Sequence, residues 1–196
     1  MESELTRSPA LMNQDDTALL VVDLQEKLLP LIPRHAHIVW NTRRLIDAAE
    51  LLNVAMAATE QYPQGLGATT SQIASRFEVI TDKRSFSCCG DQTFLETVVT
   101  GWREQSRFKV LVAGIETHVC VQQTVLDLLA EGFQVYVAAD AVGARGTTDH
   151  DVALQRMDSA GATLTTTEAA IFEWCQTSDA DCFKQISGLI REHAPA

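Results

Sequence analysis

Short apolar runs alternate along the chain with segments whose apolar residues recur every three or four positions. The stronger runs are rich in branched side chains and contain no proline, which is typical of strands buried on both faces. The runs predict six β-strands, at residues 17–23, 53–59, 77–83, 109–115, 134–140 and 162–166. The first and fourth, TALLVVD and KVLVAGI, are the strongest.

The segments between these runs have helical periodicity. A first helix is predicted over residues 38–52, and a second starts near Val121 and stops at Gly132. A third runs from a candidate N-cap, Thr148, to Gly161, and a last helix covers residues 181–191.

The alternation of strands and helices predicts an α/β fold: one doubly wound, mostly parallel six-stranded sheet with helices on both faces. A length of 196 residues suits a single domain, which we place at residues 17–191 after a flexible N-terminal segment at 1–16. The long connection at 60–76 contains Pro63, Gly65 and Gly67, and is expected to be a loop over the site.

Three chemically useful residues follow predicted strands. Asp23 ends the first strand, Lys83 ends the third, and Cys120 lies just past the fourth, at the start of a helix. In doubly wound folds the ligand site lies beyond the carboxyl ends of the strands, so these three residues are expected at the same edge.

The position of Cys120 predicts a reactive thiol. The free N–H groups of a helix start favour the thiolate, so the pKa of the thiol is expected below its free value of about 8.5. A nearby carboxylate would instead take the thiol proton as a general base. Each residue also has an ordinary structural interpretation: Cys120 as a small core side chain, Asp23 as a turn former, Lys83 as a solvated strand end.

The net charge of the chain limits the classes of partner that it is expected to bind. A formal net charge of −11 opposes binding to nucleic acid and to anionic membranes, and neither a targeting segment nor a membrane span is recognisable. A cytoplasmic location is therefore expected. Five cysteines without zinc-finger spacing predict neither a disulfide framework nor a structural metal site.

Several stretches resemble the isochorismatase-like, or cysteine hydrolase, superfamily, and its isochorismatase-domain-containing branch in particular. They are ALLVVDLQEKL, DKRSFSC, VLVAGIETHVCVQQTVLDLLAEG and ADAVGARGTTDHDVALQRMDSAGATLTTTEAAIFE. The similarity extends from Thr17 to Ile190.

This resemblance implies a catalytic triad with Cys120 as nucleophile, Asp23 as general base and acid, and Lys83 as the cation beside them. It also implies a cis peptide bond between Ile115 and Glu116, and an oxyanion hole formed by the backbone N–H groups of Glu116 and Cys120. The expected activity is hydrolysis of a C–N amide bond of a small molecule through a thioester, without a cofactor, in a homo-oligomer.

Two features depart from better-known members of the superfamily. Nicotinamidase relatives bind zinc after the second strand, but residues 60–75 of this chain contain no histidine, so no metal site is predicted. True isochorismatases cleave a vinyl ether and can lack the cysteine, so the superfamily name does not identify the substrate.

Five further residues are candidates for the substrate pocket: Gln25, Tyr62, Phe86, Ile115 and His118. Gln25 is expected to orient either the Asp23 carboxylate or nearby backbone. Tyr62 and Phe86 are interpreted as pocket walls or as ordinary packing residues, and His118 as a substrate contact or a hydrogen-bonded residue of the helix start.

Cys88 and Cys89 are adjacent, and their place after Lys83 puts one of them near the pocket unless both are incidental. Two functions rival the cysteine hydrolase. One is a catalytically silent binding module on the same scaffold, and the other, disfavoured by charge, is a nucleic-acid hydrolase.

Overall fold

Six parallel strands form the centre of the computed structural model, which describes residues 7–195. The strands are β1 Thr17–Val22, β2 Ala55–Gln61, β3 Ile80–Lys83, β4 Lys109–Ile115, β5 Gln134–Gly143 and β6 Thr163–Thr165. Their order is β3-β2-β1-β4-β5-β6. The chain thus winds outward from β1 in one direction and from β4 in the other, and β1 and β4 meet at the switch point of the sheet.

The two central strands are the two strongest apolar runs of the sequence. Every residue of β1 and β4 is buried, and they pair in register from Thr17 opposite Lys109 to Val22 opposite Gly114. Gly114 has φ +125°, and a Cβ there would lie 2.0 Å from the carbonyl oxygen of Val22. Only glycine fits, because the backbones of the two strands approach so closely at their carboxyl ends.

Eight α-helices are seen between residues 7 and 195: α1 His35–Leu52, α2 Pro63–Leu66, α3 Ser71–Ala74, α4 Thr100–Glu104, α5 Gln122–Ala130, α6 Thr147–Ser159, α7 Thr167–Cys175 and α8 Phe183–Ile190. Wider π-helical turns at Phe94–Val99 and Thr117–Val121 lead into α4 and α5. Short 3₁₀ turns lie at Leu29–Leu31 and Cys88–Gly90.

Both faces of the sheet are covered. One apolar core packs α1, α7 and α8 against alternate residues of the central strands, with Trp174 and Leu45 fully buried. The core on the other face contains residues from α4, α5 and α6, including Trp102 and Met157. The predicted single α/β domain with helices on both faces is confirmed, and all strand pairs are parallel.

Some predicted boundaries were wrong. β3 begins at Ile80 rather than at 77, and β5 continues to Gly143. Helix α6 begins at Thr147 with Gly146 as its N-cap, so Thr148 is not the cap. The connection at 60–76 contains α2 and α3, and α7 had no counterpart among the predicted helices.

The N-terminal residues from position 7 belong to the folded domain. Met12 is fully buried, its N–H donates to a carboxylate oxygen of Glu173 at 2.8 Å, and Arg7 donates to the backbone oxygen of Glu173 at 2.8 Å. These contacts are at odds with the predicted flexibility over residues 7–16, because an apolar side chain there completes the core. Residues 1–6 lie outside the described part of the chain.

In the described range, 7–195, the helices are all too short or too polar to cross a bilayer.

Candidate active site

Asp23 lies immediately after β1, at the switch point of the sheet. Its side chain is completely buried and its backbone is left-handed, with φ 52°. Its N–H donates to the backbone oxygen of Thr59 at 3.1 Å, and its carbonyl accepts from the N–H of Gln25 at 2.8 Å. Non-glycine residues in this conformation are uncommon and cluster at functional sites, where surrounding contacts hold them.

Lys83, the last residue of β3, reaches Asp23 across the end of β2. Its Nζ donates to Oδ2 of Asp23 at 2.7 Å, and neither side chain is exposed. The same ammonium donates to Oε1 of Gln61 at 2.9 Å and to the backbone oxygen of Phe86 at 3.0 Å. With these acceptors the buried cation is fully hydrogen-bonded, which a charge in the interior requires.

Cys120 lies on the wide turn between β4 and α5. Its residue exposure is 6%, and it belongs to the same apolar core as α5. The charges of Asp23 and Lys83 both act on the pKa of its thiol, in opposite directions. The structure therefore brings the acid, the amine and the thiol to one edge of the sheet.

The electrostatics of this cluster differ from the sequence expectation. Burial raises the pKa of the Cys120 thiol, Asp23 raises it further, and Lys83 opposes them without prevailing. The predicted lowering of the pKa by the helix start is thus wrong, because desolvation outweighs the partial charge of the turn. The Cys120 thiol therefore keeps its proton at neutral pH.

The ammonium of Lys83 is stabilised in its charged form. Burial alone would lower its pKa, but the negative charge of Asp23 and the hydrogen bond to its carboxylate act in the opposite direction, and the pKa is raised. The cation remains in place at neutral pH and compensates the charge of Asp23.

Three buried side chains complete the cluster and were not selected from the sequence as site residues. Thr59, at 1% exposure, donates from Oγ1 to Oδ1 of Asp23 at 2.8 Å. Gln61 holds Lys83, and its Nε2 donates to the backbone oxygen of Arg84 at 2.8 Å. Cys88 lies 3.6 Å from Oγ1 of Thr59, so one member of the Cys88–Cys89 pair does lie beside the site.

The turn that carries Cys120 is held at its start. The peptide bond between Ile115 and Glu116 is cis, as the resemblance implied. The Glu116 carboxylate accepts from the backbone N–H and the Nε of Arg145, at 3.1 and 3.0 Å. Thr117 Oγ1 and His150 Nδ1 are 2.9 Å apart, which links the same turn to α6.

Two of the predicted pocket residues have structural positions instead. Gln25 is fully buried, accepts from the N–H of Gln61 at 2.8 Å and donates to the oxygen of Gly67 at 2.6 Å, so it orients backbone rather than the Asp23 carboxylate. Ile115 is fully buried in the core beneath α1, on the opposite face of the sheet from Cys120. Neither side chain lines an open pocket.

The remaining pocket candidates flank the cluster. The N–H of Tyr62 donates to the oxygen of Lys83 at 3.1 Å, and its ring, 43% exposed, packs under the guanidinium of Arg84 at 4.1 Å. Phe86 accepts from Lys83 through its carbonyl and is 54% exposed. His118 is half-buried, and its Nδ1 has no hydrogen-bond partner among residues 7–195, contrary to the hydrogen-bonded alternative.

The cluster lies beneath the surface. Four surface clefts with volumes of 310 to 690 Å³ are lined by other residues, and Cys120 as a whole is 6% exposed. Within residues 7–195, no three His, Cys, Asp or Glu residues are grouped so as to hold a metal ion.

Known proteins resemble this chain along nearly its whole length. The chain is 38% identical to a Phytophthora sojae protein called secreted isochorismatase effector Isc1, over 90% of this chain and 85% of that protein. It is also 38% identical to mouse (Mus musculus) isochorismatase domain-containing protein 2A, over 92% of this chain and 85% of the mouse protein.

Solved structures share the fold. The structure described as MAR1 ribonuclease from Caenorhabditis elegans is 40% identical, with a TM-score of 0.86 and 95% of each chain covered. YcaC from Pseudomonas aeruginosa, described with covalent acrylamide, is 26% identical, with a TM-score of 0.83 over 94% of this chain and 93% of YcaC. YcaC from Escherichia coli, described as an octameric hydrolase of unknown specificity, is 25% identical, with a TM-score of 0.85 over 94% of this chain and 91% of that one.

The family model named Isochorismatase domain matches residues 17–169, from the start of β1 into α7. The match includes the strand ends that carry Asp23 and Lys83 and the turn that carries Cys120. The chain belongs to the isochorismatase family.

Proposed function

We propose that this protein is a cysteine hydrolase that cleaves a C–N amide bond of a small molecule through a thioester intermediate. The observation that carries the proposal is the buried Lys83–Asp23 ion pair, 2.7 Å long, whose two charges both act on the pKa of the Cys120 thiol. A charged pair in the interior is stabilised poorly unless it has further partners, and this pair lies close enough to a thiol to change its pKa.

The raised pKa of the Cys120 thiol supports a mechanism with general-base activation. Asp23 takes the thiol proton as the sulfur attacks the carbonyl carbon, and the carbonyl oxygen becomes an oxyanion. The N–H groups of Glu116 and Cys120 are the proposed donors to that oxyanion. Lys83 stabilises the negative charge that moves between Asp23 and the sulfur.

Collapse of the tetrahedral intermediate breaks the C–N bond. Asp23 returns its proton to the leaving nitrogen, and an acyl thioester remains on Cys120. A water molecule then attacks the thioester, Asp23 accepts a proton from that water, and the carboxylic acid leaves as the thiol is reprotonated. Water is the only co-reactant.

The test compares two cysteine variants. Cys120→Ala removes the nucleophile, whereas Cys175→Ala changes a buried cysteine in the core on the other face of the sheet. With a panel of small amides and a measurement of released ammonia or amine, we expect Cys120→Ala to abolish turnover and Cys175→Ala to retain it. Undiminished turnover by Cys120→Ala would refute the proposal.

The rival of a silent binding module is tested with acrylamide, which is itself a small amide and reacts with thiolates. We expect a mass increase of one acrylamide on the wild-type protein, and peptide mapping should place it on Cys120. A protein that turns over no amide and acquires no adduct on Cys120 would instead fit the silent module.

One observation favours a second candidate, an RNA hydrolase. The Caenorhabditis elegans structure that is 40% identical is described as a ribonuclease. The net charge of −11 opposes binding of an RNA backbone at physiological salt. Incubation of a labelled RNA with wild-type protein and Cys120→Ala, next to the same sequence in DNA, tests this candidate. Cleavage of RNA that depends on Cys120 would replace the amidase proposal.

We also propose a homo-oligomer. Large apolar side chains remain on the surface, among them Val79 at 76%, Val152 at 56% and Phe108 at 52% exposure, and the Escherichia coli relative is described as octameric. Light scattering should return a multiple of the 21.5 kDa chain mass. The cytoplasmic location stays a prediction, since the Phytophthora relative is called a secreted effector.

A further inference from the structure

The buried carboxylate of Asp23 accepts a hydrogen bond on each of its two oxygens. Lys83 occupies Oδ2, and Thr59 donates its hydroxyl proton to Oδ1 at 2.8 Å. Behind Thr59 lies a second buried thiol, Cys88, at 0% exposure and 3.6 Å from the threonine oxygen.

The direction of this chain of hydrogen bonds follows from proton counting. A threonine hydroxyl has one proton, and an ionised carboxylate has none to donate, so the hydroxyl proton points at Asp23. The Oγ1 of Thr59 can then only accept from Cys88, whose S–H must be the donor. Burial and the charge of Asp23 raise the pKa of Cys88 to about 11, so this thiol keeps the proton that the chain requires.

The geometry of Cys88 is fixed independently of Asp23. Its backbone N–H donates to Oγ1 of Thr124 on α5 at 2.9 Å, and it begins the short helical turn that follows Lys83. Thr59 is fixed in β2, whose residue 59 pairs with Val22 of β1. The donor chain is therefore built on the sheet and on α5 rather than on a surface loop.

We propose that Thr59, supported by Cys88, is a positioning residue that holds Oδ1 of Asp23 and keeps this carboxylate oriented towards the thiol of Cys120. The inference rests on the proposed function, because it assigns Asp23 the role of general base. It gives Cys88 a role that its sequence position alone did not reveal.

The consequence is a shift in the pH dependence of Cys120 reactivity. The titratable groups that face Asp23 are Lys83, Cys88 and Cys120. Thr59→Val removes one donor from the ionised carboxylate without changing the volume of the side chain, so a higher pH is needed to reach the same rate. Hydrogen bonds to charged groups are strong enough to move such a profile by roughly one pH unit.

The experiment measures the rate of acrylamide addition to Cys120 against pH by peptide mass spectrometry. Thr59→Val should move the rising part of the profile to higher pH, and Thr59→Ser, which keeps the hydroxyl, should restore it. Cys88→Ala should move it in the same direction by less, since it only weakens the donor. Thr42→Val is the matched control: Thr42 is also fully buried, and its hydroxyl has no partner in the described part of the chain.

The outcomes separate the two proposals. If the wild-type protein reacts at Cys120 but the profiles of Thr59→Val and Thr42→Val coincide, the positioning role is wrong and the hydrolase proposal stands. A shift in Thr59→Val that serine does not restore would assign the effect to packing and also overturn it. No reaction of wild-type Cys120 at any pH would remove the hydrolase proposal together with this inference. Should Thr59→Val not fold, Thr59→Ser and Cys88→Ala decide the question by the same criteria.

Discussion

The sheet has a Lys–Asp ion pair at each of its two edges, and the two pairs are alike in length. At the carboxyl edge Lys83 contacts Asp23 at 2.7 Å, and at the amino edge Lys109 contacts Asp16 at 2.7 Å. The surroundings differ. The side chains of Lys83 and Asp23 have no exposure, whereas Lys109 and Asp16 are 8% and 26% exposed.

The amino-edge pair ties chain segments together. Lys109 also donates to the oxygen of Leu11 at 2.7 Å, and Asp16 accepts from Asn13 and Thr17. These partners lie in the segment that leads into β1 and at the first residue of that strand, so the pair anchors this segment to β4. No thiol takes part in it.

The carboxyl-edge pair has the thiol of Cys120 among its neighbours. The comparison shows that a Lys–Asp pair is not a functional signature in itself. What distinguishes Lys83 and Asp23 is the edge of the sheet at which they lie and the thiol of Cys120 beside them. Matched substitutions at the two edges therefore separate chemistry from stability.

The largest difference is expected in catalysis. Lys83→Met removes the cation that acts on the thiol and should lower kcat/KM for a small amide by on the order of 10²–10³-fold, the usual loss when one group that stabilises developing charge is removed. Lys109→Met, at the other edge, should change kcat/KM by no more than about 3-fold, within the small effect of a remote substitution. Steady-state kinetics on folded variants measure both, and equal losses would show that the two pairs have the same structural role.

A smaller difference is expected in stability. Lys83→Met strands a fully buried carboxylate and should lower the free energy of unfolding by about 3–5 kcal/mol. Lys109→Met should cost only about 1–2 kcal/mol, because the partly exposed Asp16 keeps its donors from Asn13 and Thr17. Urea unfolding monitored by circular dichroism gives both values.

The double variant Asp23→Asn/Lys83→Met serves as the control for that measurement. It leaves no unpaired charge, so it should recover much of the stability lost in Lys83→Met. A double variant less stable than the single one would mean that something other than the stranded charge causes the loss.

The smallest effect concerns alkaline pH and the thiols of the carboxyl edge. The pKa of the Cys120 thiol is raised by folding from the ordinary value of 9.0, so the folded state keeps a proton that the unfolded chain loses. The contribution of this thiol to the free energy of unfolding is fully present below pH 9. It declines as the pH rises towards and through the higher pKa that the thiol has in the folded state. Cys88 acts in the same direction.

Between about pH 8 and about pH 10, the free energy of unfolding should therefore fall less for Cys120→Ser than for the wild type. Above the unfolded pKa, the difference between the two slopes should reach up to roughly 1.4 kcal/mol per pH unit. Thr42→Val, which changes no titratable group, should follow the wild type. Urea unfolding at the two pH values gives the slopes, and identical slopes for Cys120→Ser and wild type would contradict a raised thiol pKa.

The elements predicted best from the sequence are those whose residues are all buried. β1 and β4 are continuous apolar runs, and the predicted start and end of β4 agree with the structure. β3 is less apolar and its first predicted residues are not paired, since Phe77 and Val79 lie before the point where β3 joins β2. Helix α7 was missed although Thr166 is a recognisable N-cap, whose hydroxyl accepts from the N–H of Ala169.

The site was predictable only in part. Strand ends pointed to Asp23, Lys83 and Cys120, because the edge at which they lie follows from chain direction alone. Thr59 and Cys88 depend on which strands are neighbours and in what register, and a single sequence does not specify that pairing. The direction of the Cys120 pKa depends on the depth of burial, which periodicity does not reveal.

The left-handed backbone at Asp23 has a consequence for protein engineering. Glycine would adopt φ 52° without the steric conflict of a Cβ, so replacing the aspartate there would relax the chain locally. The same replacement would leave the Lys83 ammonium buried without its carboxylate, at a cost of about 3–5 kcal/mol that exceeds the relief of backbone strain. A screen for thermostable variants would therefore keep the aspartate despite its strained backbone.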